Sequence, residues 1–287
     1  MIISIASGKG GTGKTTVATS FALSIDNTQL LDCDVEEPNS HIFMNPVMDI
    51  KEPVNILVPE VDKEKCTACG KCKEACLYKA IAVMGDIVLT FHELCHGCGA
   101  CSYVCPVGAI KEVPKEIGNV EEGTGRGIPF VHGTLDIGAA MAPPVIRQVK
   151  KQIDSEKTVI IDAPPGTSCP VIGAMKNTDF CVLVTEPTPF GLHDLKLAVD
   201  VVRKLAIPHG VVINRATLGD NETEDYCASE HIEILMRIPF DKRIAEVYSQ
   251  GTPIIEALPE LKKGFRDMHE KIERMVSEGN GRKGRIS

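Results

Sequence analysis

The stretch Ser7-Gly8-Lys9-Gly10-Gly11-Thr12-Gly13-Lys14-Thr15-Thr16 constrains this chain more than any other. An apolar run, Ile2 to Ala6, precedes it and predicts a short buried strand. Val17 to Leu23 follow with apolar residues at helical spacing. Strand, glycine loop, lysine, hydroxyl and helix, in that order, is the setting in which Gly-Lys-Thr binds phosphate. Gly8, Gly10, Gly11 and Gly13 let the backbone wrap tightly. The N–H groups of the loop, through Thr12 and Thr16, can then point at phosphate oxygens beside a helix N-terminus. Lys14 can reach the outer phosphates and the Thr15 hydroxyl can hold Mg²⁺. A glycine-rich hairpin is the plain alternative, but it does not require Gly13-Lys14-Thr15 at a helix start.

Further along, Gln29 to Asp34 reads as a second buried strand ending in acid, and Thr158 to Asp162 as a third. In a parallel sheet such carboxylates emerge at the carboxyl edge, where the glycine loop also lies. A pair of acids capping a strand is the bland reading of Asp32 and Asp34. Short strands are also expected over Val54–Val58, Phe180–Thr185 and His209–Ile213, the last ending at Asn214. The glycines at 118, 123, 125, 127 and 133 predict a mobile connection, and those beyond Gly279 a disordered tail. Leu261, Phe265, Met268, Ile272 and Met275 fall on one face of a final helix. Such a stripe packs on a sheet or, alternatively, lies on a membrane.

Twelve cysteines is the abnormal feature of the composition. Cys66, Cys69, Cys72 and Cys76, then Cys95, Cys98, Cys101 and Cys105, form an internal repeat spaced C-x2-C-x2-C-x3-C, and Pro106 follows the second set. This is the spacing of bacterial two-cluster ferredoxins, which the segment resembles over roughly 62–115, between Pro59 and Pro114. The resemblance implies two [4Fe–4S] clusters, one on Cys66, Cys69, Cys72 and Cys105, the other on Cys95, Cys98, Cys101 and Cys76. Leu77 departs from the pattern where proline is common. Zinc is the rival, but structural zinc favours two separated pairs over tight triplets. His92 and His96 read as solvated side chains. Cys33, Cys181 and Cys227 read as inert apolar residues, and Cys169 as a buried or supporting thiol.

The early lysine of Lys9-Gly10-Gly11-Thr12-Gly13-Lys14-Thr15 resembles the deviant phosphate loop of the MinD/ParA/nitrogenase-iron-protein ATPases. With it, nearly the whole chain resembles that superfamily carrying an inserted ferredoxin. The resemblance implies an α/β fold, a mostly parallel P-loop sheet interrupted once by a small α+β dicluster unit. It divides the chain into 1–61, 62–115, 116–278 and a flexible tail at 279–287. It assigns Lys9 to the partner's nucleotide across a two-fold axis, Asp34 to the attacking water, and Asp162 to Mg²⁺ through water, with Asp32 as a further support for Mg²⁺. Gly166 offers its N–H to the γ-phosphate, Asn214 bonds the adenine, and Pro239 packs near the base. The cofactors implied are ATP or ADP, Mg²⁺ and the clusters. The partners implied are a second copy of the chain, or a paralogue, and a redox protein.

A formal charge of −8, with no Trp, gives no footprint for nucleic acid or an anionic membrane. No apolar run approaches the ~18 residues of a membrane helix. The N-terminus enters a strand without the pattern of a signal peptide, so a cytoplasmic protein is expected. Three functions stay open: ATP-gated electron delivery, cluster carriage of the Mrp type, and a positioning switch whose ferredoxin reports redox state. Only Cys169 is offered for a dimer-bridging cluster, two thiolates where four are needed, which disfavours that variant.

Overall fold

A computed structural model describes residues 1–283. In chain order its first strands and helices are β1 (Ile2–Ala6), α1 (Lys14–Ala22), β2 (Thr28–Asp32), α2 (Ser40–Met44) and β3 (Val47–Val61). The cysteine-bearing insert contributes α3 (Lys71–Ala75), β4 (Ile81–Met84), β5 (Ile87–Thr90) and α4 (Ala100–Tyr103). The chain returns through β6 (Ile110–Gly125), β7 (Ile128–Leu135), α5 (Pro143–Lys151), β8 (Thr158–Asp162), α6 (Cys169–Met175), β9 (Phe180–Thr185) and α7 (Pro189–Lys204). It closes with β10 (His209–Ile213), α8 (Glu222–Ser229), β11 (Ile234–Arg237), α9 (Lys242–Ser249), α10 (Ile254–Ala257) and α11 (Glu260–Lys283).

Nine strands form one sheet in the order β11-β10-β9-β1-β8-β2-β7-β6-β3. It is parallel from β11 to β7, while β6 and β3 add antiparallel strands at one edge. Alternation sorts the apolar side chains to two faces. Ile3, Ile5, Leu30 and Ile160 enter one buried layer with Phe21 of α1 and Phe265 of α11. Leu31, Val159 and Ile161 enter the other with Val145 and Val149 of α5. Burial on both faces explains why these strands read as continuous apolar runs. The stripe of α11 belongs to the first layer, with Phe265 stacked on Phe21 at 6.1 Å between ring centroids. Among the described residues no helix is long and apolar enough to cross a membrane.

Three expectations change. The Val54–Val58 strand is the middle of a fifteen-residue strand. The glycine-rich stretch 118–133 is not a mobile link but lies almost wholly in β6 and β7. Its glycines serve close approach: a Cβ on Gly123 would strike the Val47 carbonyl, and one on Gly133 would meet Val35, Val145 and Val149. Finally, α11 continues through Lys283, so only 284–287 of the expected tail lie outside the described residues.

The β3–β6 ribbon decides where the insert sits. Val54 pairs with Gly118, which pairs with Leu135 at the carboxyl end of β7. Past that point the two strands run on alone to the Val61–Ile110 pair, about seven residues or on the order of 20 Å at ordinary strand rise. The insert, residues 62–109, is therefore held beyond the carboxyl edge of the sheet. Residues 110–115, expected within the ferredoxin unit, belong to the ribbon, as do Pro59 and Pro114. Both prolines are tolerated because no third strand needs their missing N–H there.

Candidate functional site

β1 ends at the carboxyl edge, and the loop 7–13 turns there into α1. Gly13 has φ 91°, and a Cβ on it would collide with the Asn214 side-chain amide. The Asn214 amide donates to the Thr12 carbonyl at 2.8 Å, so this asparagine braces the loop as well as facing the pocket. The cavity above the loop has a volume of about 390 Å³. Gly10, Gly11, Gly13, Lys14, Thr15 and Thr16 line one side, and Asp34 lies among its walls. Asn214 and Pro239 also line the cavity. Lys9 is not among the lining residues.

The floor is acidic. Lys14 Nζ lies 3.5 Å from Asp162 Oδ1 and 3.9 Å from Asp34 Oδ2. The Thr15 hydroxyl donates to Asp162 Oδ2 at 2.6 Å, and the Ser40 hydroxyl donates to the same oxygen at 3.2 Å. Asp32 is fully buried, its carboxylate accepting N–H bonds from Asp34, Asn39 and Ser40 at 2.9–3.1 Å. Asp32 therefore clasps the backbone of the 34–40 loop. Burial, with Asp162 nearby, pushes Asp32 up to about 7. Burial also carries Asp34 up to about 6, against the pull of Lys14 and with the push of Asp162. Asp162 and Asp34 both face Lys14, two carboxyl groups against one cation, which fits a divalent cation beside Thr15 and Asp162.

Gly166, at φ 93°, donates its N–H to the Ser7 carbonyl at 3.0 Å. Offering that N–H to a phosphate requires this bond to break. The 34–41 segment also reaches the root of the ribbon. Val35 accepts the Leu135 N–H at 2.8 Å, His41 meets His132 of β7 at 5.6 Å between centroids, and His132 Nε2 lies 2.8 Å from Glu121 of β6.

In the insert the cysteines surround two hollows. Cys66, Cys69, Cys72 and Cys105 line one. Cys76, Cys95, Cys98 and Cys101 line the other. The fourth thiol of each repeat thus crosses to the other hollow. Cys76 Sγ accepts the Ala80 N–H at 3.3 Å, and Cys105 Sγ accepts the Ala109 N–H at 3.2 Å, the same bond in both repeats. His92 and His96 are not simply solvated. His92 Nε2 lies 3.0 Å from the Pro59 carbonyl, and His96 stacks on Tyr78 at 3.5 Å.

The remaining thiols divide. Cys33, Cys181 and Cys227 are buried in the body; burial pushes Cys181 up to about 12 and Cys227 to about 11, which suits inert packing. Cys169 is exposed at the start of α6, not buried as expected. Sequence reasoning missed Arg215, Phe240, Ile244 and Tyr248 as pocket residues. The spacing of Ile244 and Tyr248, four apart on α9, was the available signal.

A family model for the CobQ/CobB/MinD/ParA nucleotide binding domain matches residues 3–254. The chain belongs to that family. A relative in Methanocaldococcus jannaschii is 32% identical over 284 residues, covering 96% of this chain and 97% of that one. An iron-sulfur cluster carrier protein of Pyrococcus abyssi is 22% identical over 301 residues, covering 97% and 88%. Among solved structures, the septum site-determining protein MinD of Pyrococcus horikoshii, complexed with Mg-ADP, matches with a TM-score of 0.56 at 22% identity over 96% of each chain. That likeness shows that the MinD fold underlies the parallel sheet and its nucleotide loop.

Proposed function

We propose that this MinD/ParA-type protein is a Mg²⁺-dependent ATPase coupled to electron transfer through two [4Fe–4S] clusters, with the insert, residues 62–109, as a ferredoxin unit carried on the ribbon. The observation that carries the reading is the sorting of eight cysteines into two crossed foursomes, each around its own hollow. The insert's own apolar core is Cys72, Ile81 and Ile110 with a few partly buried neighbours. A unit this short requires a staple. When bound, the clusters supply one-electron centres to this scaffold.

At the nucleotide, Lys14 and the loop N–H groups orient the phosphates. Thr15 and, through water, Asp162 would hold Mg²⁺, which supplies neutralisation of the β- and γ-phosphate charge. Asp34 orients the attacking water, and Gly166 turns its N–H from Ser7 to the γ-phosphate. Asn214 and Pro239 hold the base. Lys9, outside its own pocket, completes the site of a second copy in an ATP-dependent dimer. The clasp of Asp32 on the 34–40 loop, with the Val35 and His41 contacts to β7, gives nucleotide state a route to the ribbon.

A second reading is a cluster carrier. Proteins named iron-sulfur cluster carrier in three Pyrococcus species and in Aquifex aeolicus are its relatives at 22–29% identity, which favours it. Anaerobic purification with iron and sulfide assays and electron paramagnetic resonance decides the metal: about eight irons per chain are expected, and stoichiometric zinc without iron overturns the cluster reading. Mixing with an apo-acceptor protein decides the role. Retention of iron through ATP turnover supports electron transfer, and quantitative loss to the acceptor supports carriage.

A further inference from the structure

We propose that the outer face of the insert, around Cys66, Cys69, Cys72 and Cys105, is a docking surface for an acidic one-electron carrier protein. The proposal rests on the reading of the hollows as cluster sites. The two repeats are offset by 95 − 66 = 29 residues, and their backbones match at that offset. Ala68 and Gly97, Gly70 and Gly99, and Lys79 and Gly108 all take left-handed φ values, of 51° and 63°, 80° and 72°, and 57° and 60°.

Charge does not follow the repeat. Lys63, Lys65, Lys71, Lys73 and Lys79 are matched by His92, Leu94, Ala100, Ser102 and Gly108. All five lysines are exposed, Lys71 lines the first hollow, and Lys65 and Lys73 adjoin Cys66 and Cys72 in the chain. Residues 62–79 carry five lysines against Asp62, Glu64 and Glu74, 5 − 3 = +2, and residues 80–109 carry only Asp86 and Glu93, −2. A charged surface is ordinarily just a solvated one. Here the second repeat is an internal control: it takes the same backbone without a single lysine, so folding does not call for them.

The second hollow lies against the ribbon. Leu57, Pro59 and Glu112 of the ribbon line it, Gly97 lies against the Leu57 carbonyl, and the Tyr78–His96 stack borders it. An acidic protein would meet Glu112 there. The first hollow, at the ribbon tip, has Lys71 and the apolar rim residue Val107. No arginine occurs in 62–109. Flexible lysine point charges suit a diffuse carboxylate surface, whereas arginine forks suit phosphates. In the docked pair the carrier's reduced centre would lose one electron to the cluster that Cys66, Cys69, Cys72 and Cys105 would hold, with no bond or proton change. Cys76, Cys95, Cys98 and Cys101, in the hollow against the ribbon, would hold the second cluster.

The probe is a flavodoxin, an acidic one-electron carrier, and the protein is the full cluster-loaded chain. Lys65→Gln/Lys71→Gln/Lys73→Gln should weaken the flavodoxin Kd at low salt by about tenfold or more and flatten its salt dependence. Cluster reduction by photoreduced flavodoxin should slow with it, and reduction by the cationic methyl viologen radical should not. Unchanged iron content and resonance spectra show that the variant is folded. Lys51→Gln, on the ribbon and paired with Glu121, should leave the Kd unchanged. An unaltered Kd in the triple variant with clusters intact overturns the docking surface alone. Lysine-dependent binding of a single-stranded oligonucleotide without flavodoxin binding also overturns it and reassigns the lysines. Iron-free protein overturns the functional reading on which it rests.

Discussion

The sheet body buries Phe21, Phe130, Phe180 and Phe265 completely between a sheet and its helices, whereas the insert closes on Cys72, Ile81 and Ile110. The body is stabilised by apolar area removed from water and does not depend on what occupies its pocket. Its nucleotide site is a surplus of acid at one sheet edge, ready to exchange ligands. The insert has so small an apolar core that, on the proposed reading, its order comes from what its thiols bind. That reading joins a unit built to cycle through ligand states to a unit built to keep its ligand.

The largest expected effect separates the two directly. Removing the metal with an anaerobic chelator, or replacing Cys66, Cys69, Cys72 and Cys105 by Ser, should abolish hydrogen-exchange protection over 62–109. Protection of β1, β8 and β9 should persist. Protection lost together in both units would show that the comparison is wrong.

Next in size, Lys14→Ala removes charged hydrogen bonds worth about 1.5–3 kcal/mol each and should weaken ATP binding about ten- to hundred-fold. Lys9→Ala should keep binding while losing hydrolysis and ATP-dependent dimerisation. Titration calorimetry and light scattering measure both, and dimerisation with wild-type turnover in Lys9→Ala would remove its assignment.

A smaller effect follows from the raised carboxyls. Asp34 at about 6 and Asp32 at about 7 stand above 3.8. The folded, nucleotide-free protein therefore holds more protons than the unfolded chain between about pH 4 and 7, and its stability falls as pH rises through that window. Mg²⁺ with nucleotide favours the ionised groups, so affinity should rise over the same window, by up to about tenfold per unit for one proton released. Calorimetry at pH 6 in buffers of different ionisation enthalpy reads that proton, and an affinity flat from pH 5.5 to 7.5 contradicts it.

The smallest effect tests the repeat. Ala68 adopts the left-handed backbone that Gly97 adopts in the other half, so Ala68→Gly should stabilise the insert by about 1 kcal/mol. Gly97→Ala should do the reverse, with a further contact at 3.1 Å to the Leu57 carbonyl. Rates of cluster loss compare the two.

How much of this was legible depended on how local the signal was. The loop at 7–16, the strand-end acids and the cysteine repeats are each local in the chain, so each could be singled out from neighbouring residues. Asn214 and Pro239, from opposite ends of the chain to the loop, were placed through resemblance and line the same pocket as it. The ribbon was misread because β3 is exposed over most of its first half and so shows no apolar alternation. The glycines opposite it pack against backbone, which leaves the same trace in a sequence as flexibility. The Asp32 clasp was hidden because a carboxylate facing a cation and one facing three backbone N–H groups are the same letter.

The ribbon also bears on how such a molecule is assembled from parts. Its two strands end paired, Val61 with Ile110, and the Asp62 N–H donates to the Ala109 carbonyl at 2.7 Å. Whatever is spliced there begins and ends at neighbouring points, so the host sheet sees a hairpin whose tip has been replaced. Replacing 62–109 by Asn-Gly should close that hairpin with a two-residue turn. The module can thus be exchanged without redesign of its host, because the paired stem fixes where both of its ends leave the sheet.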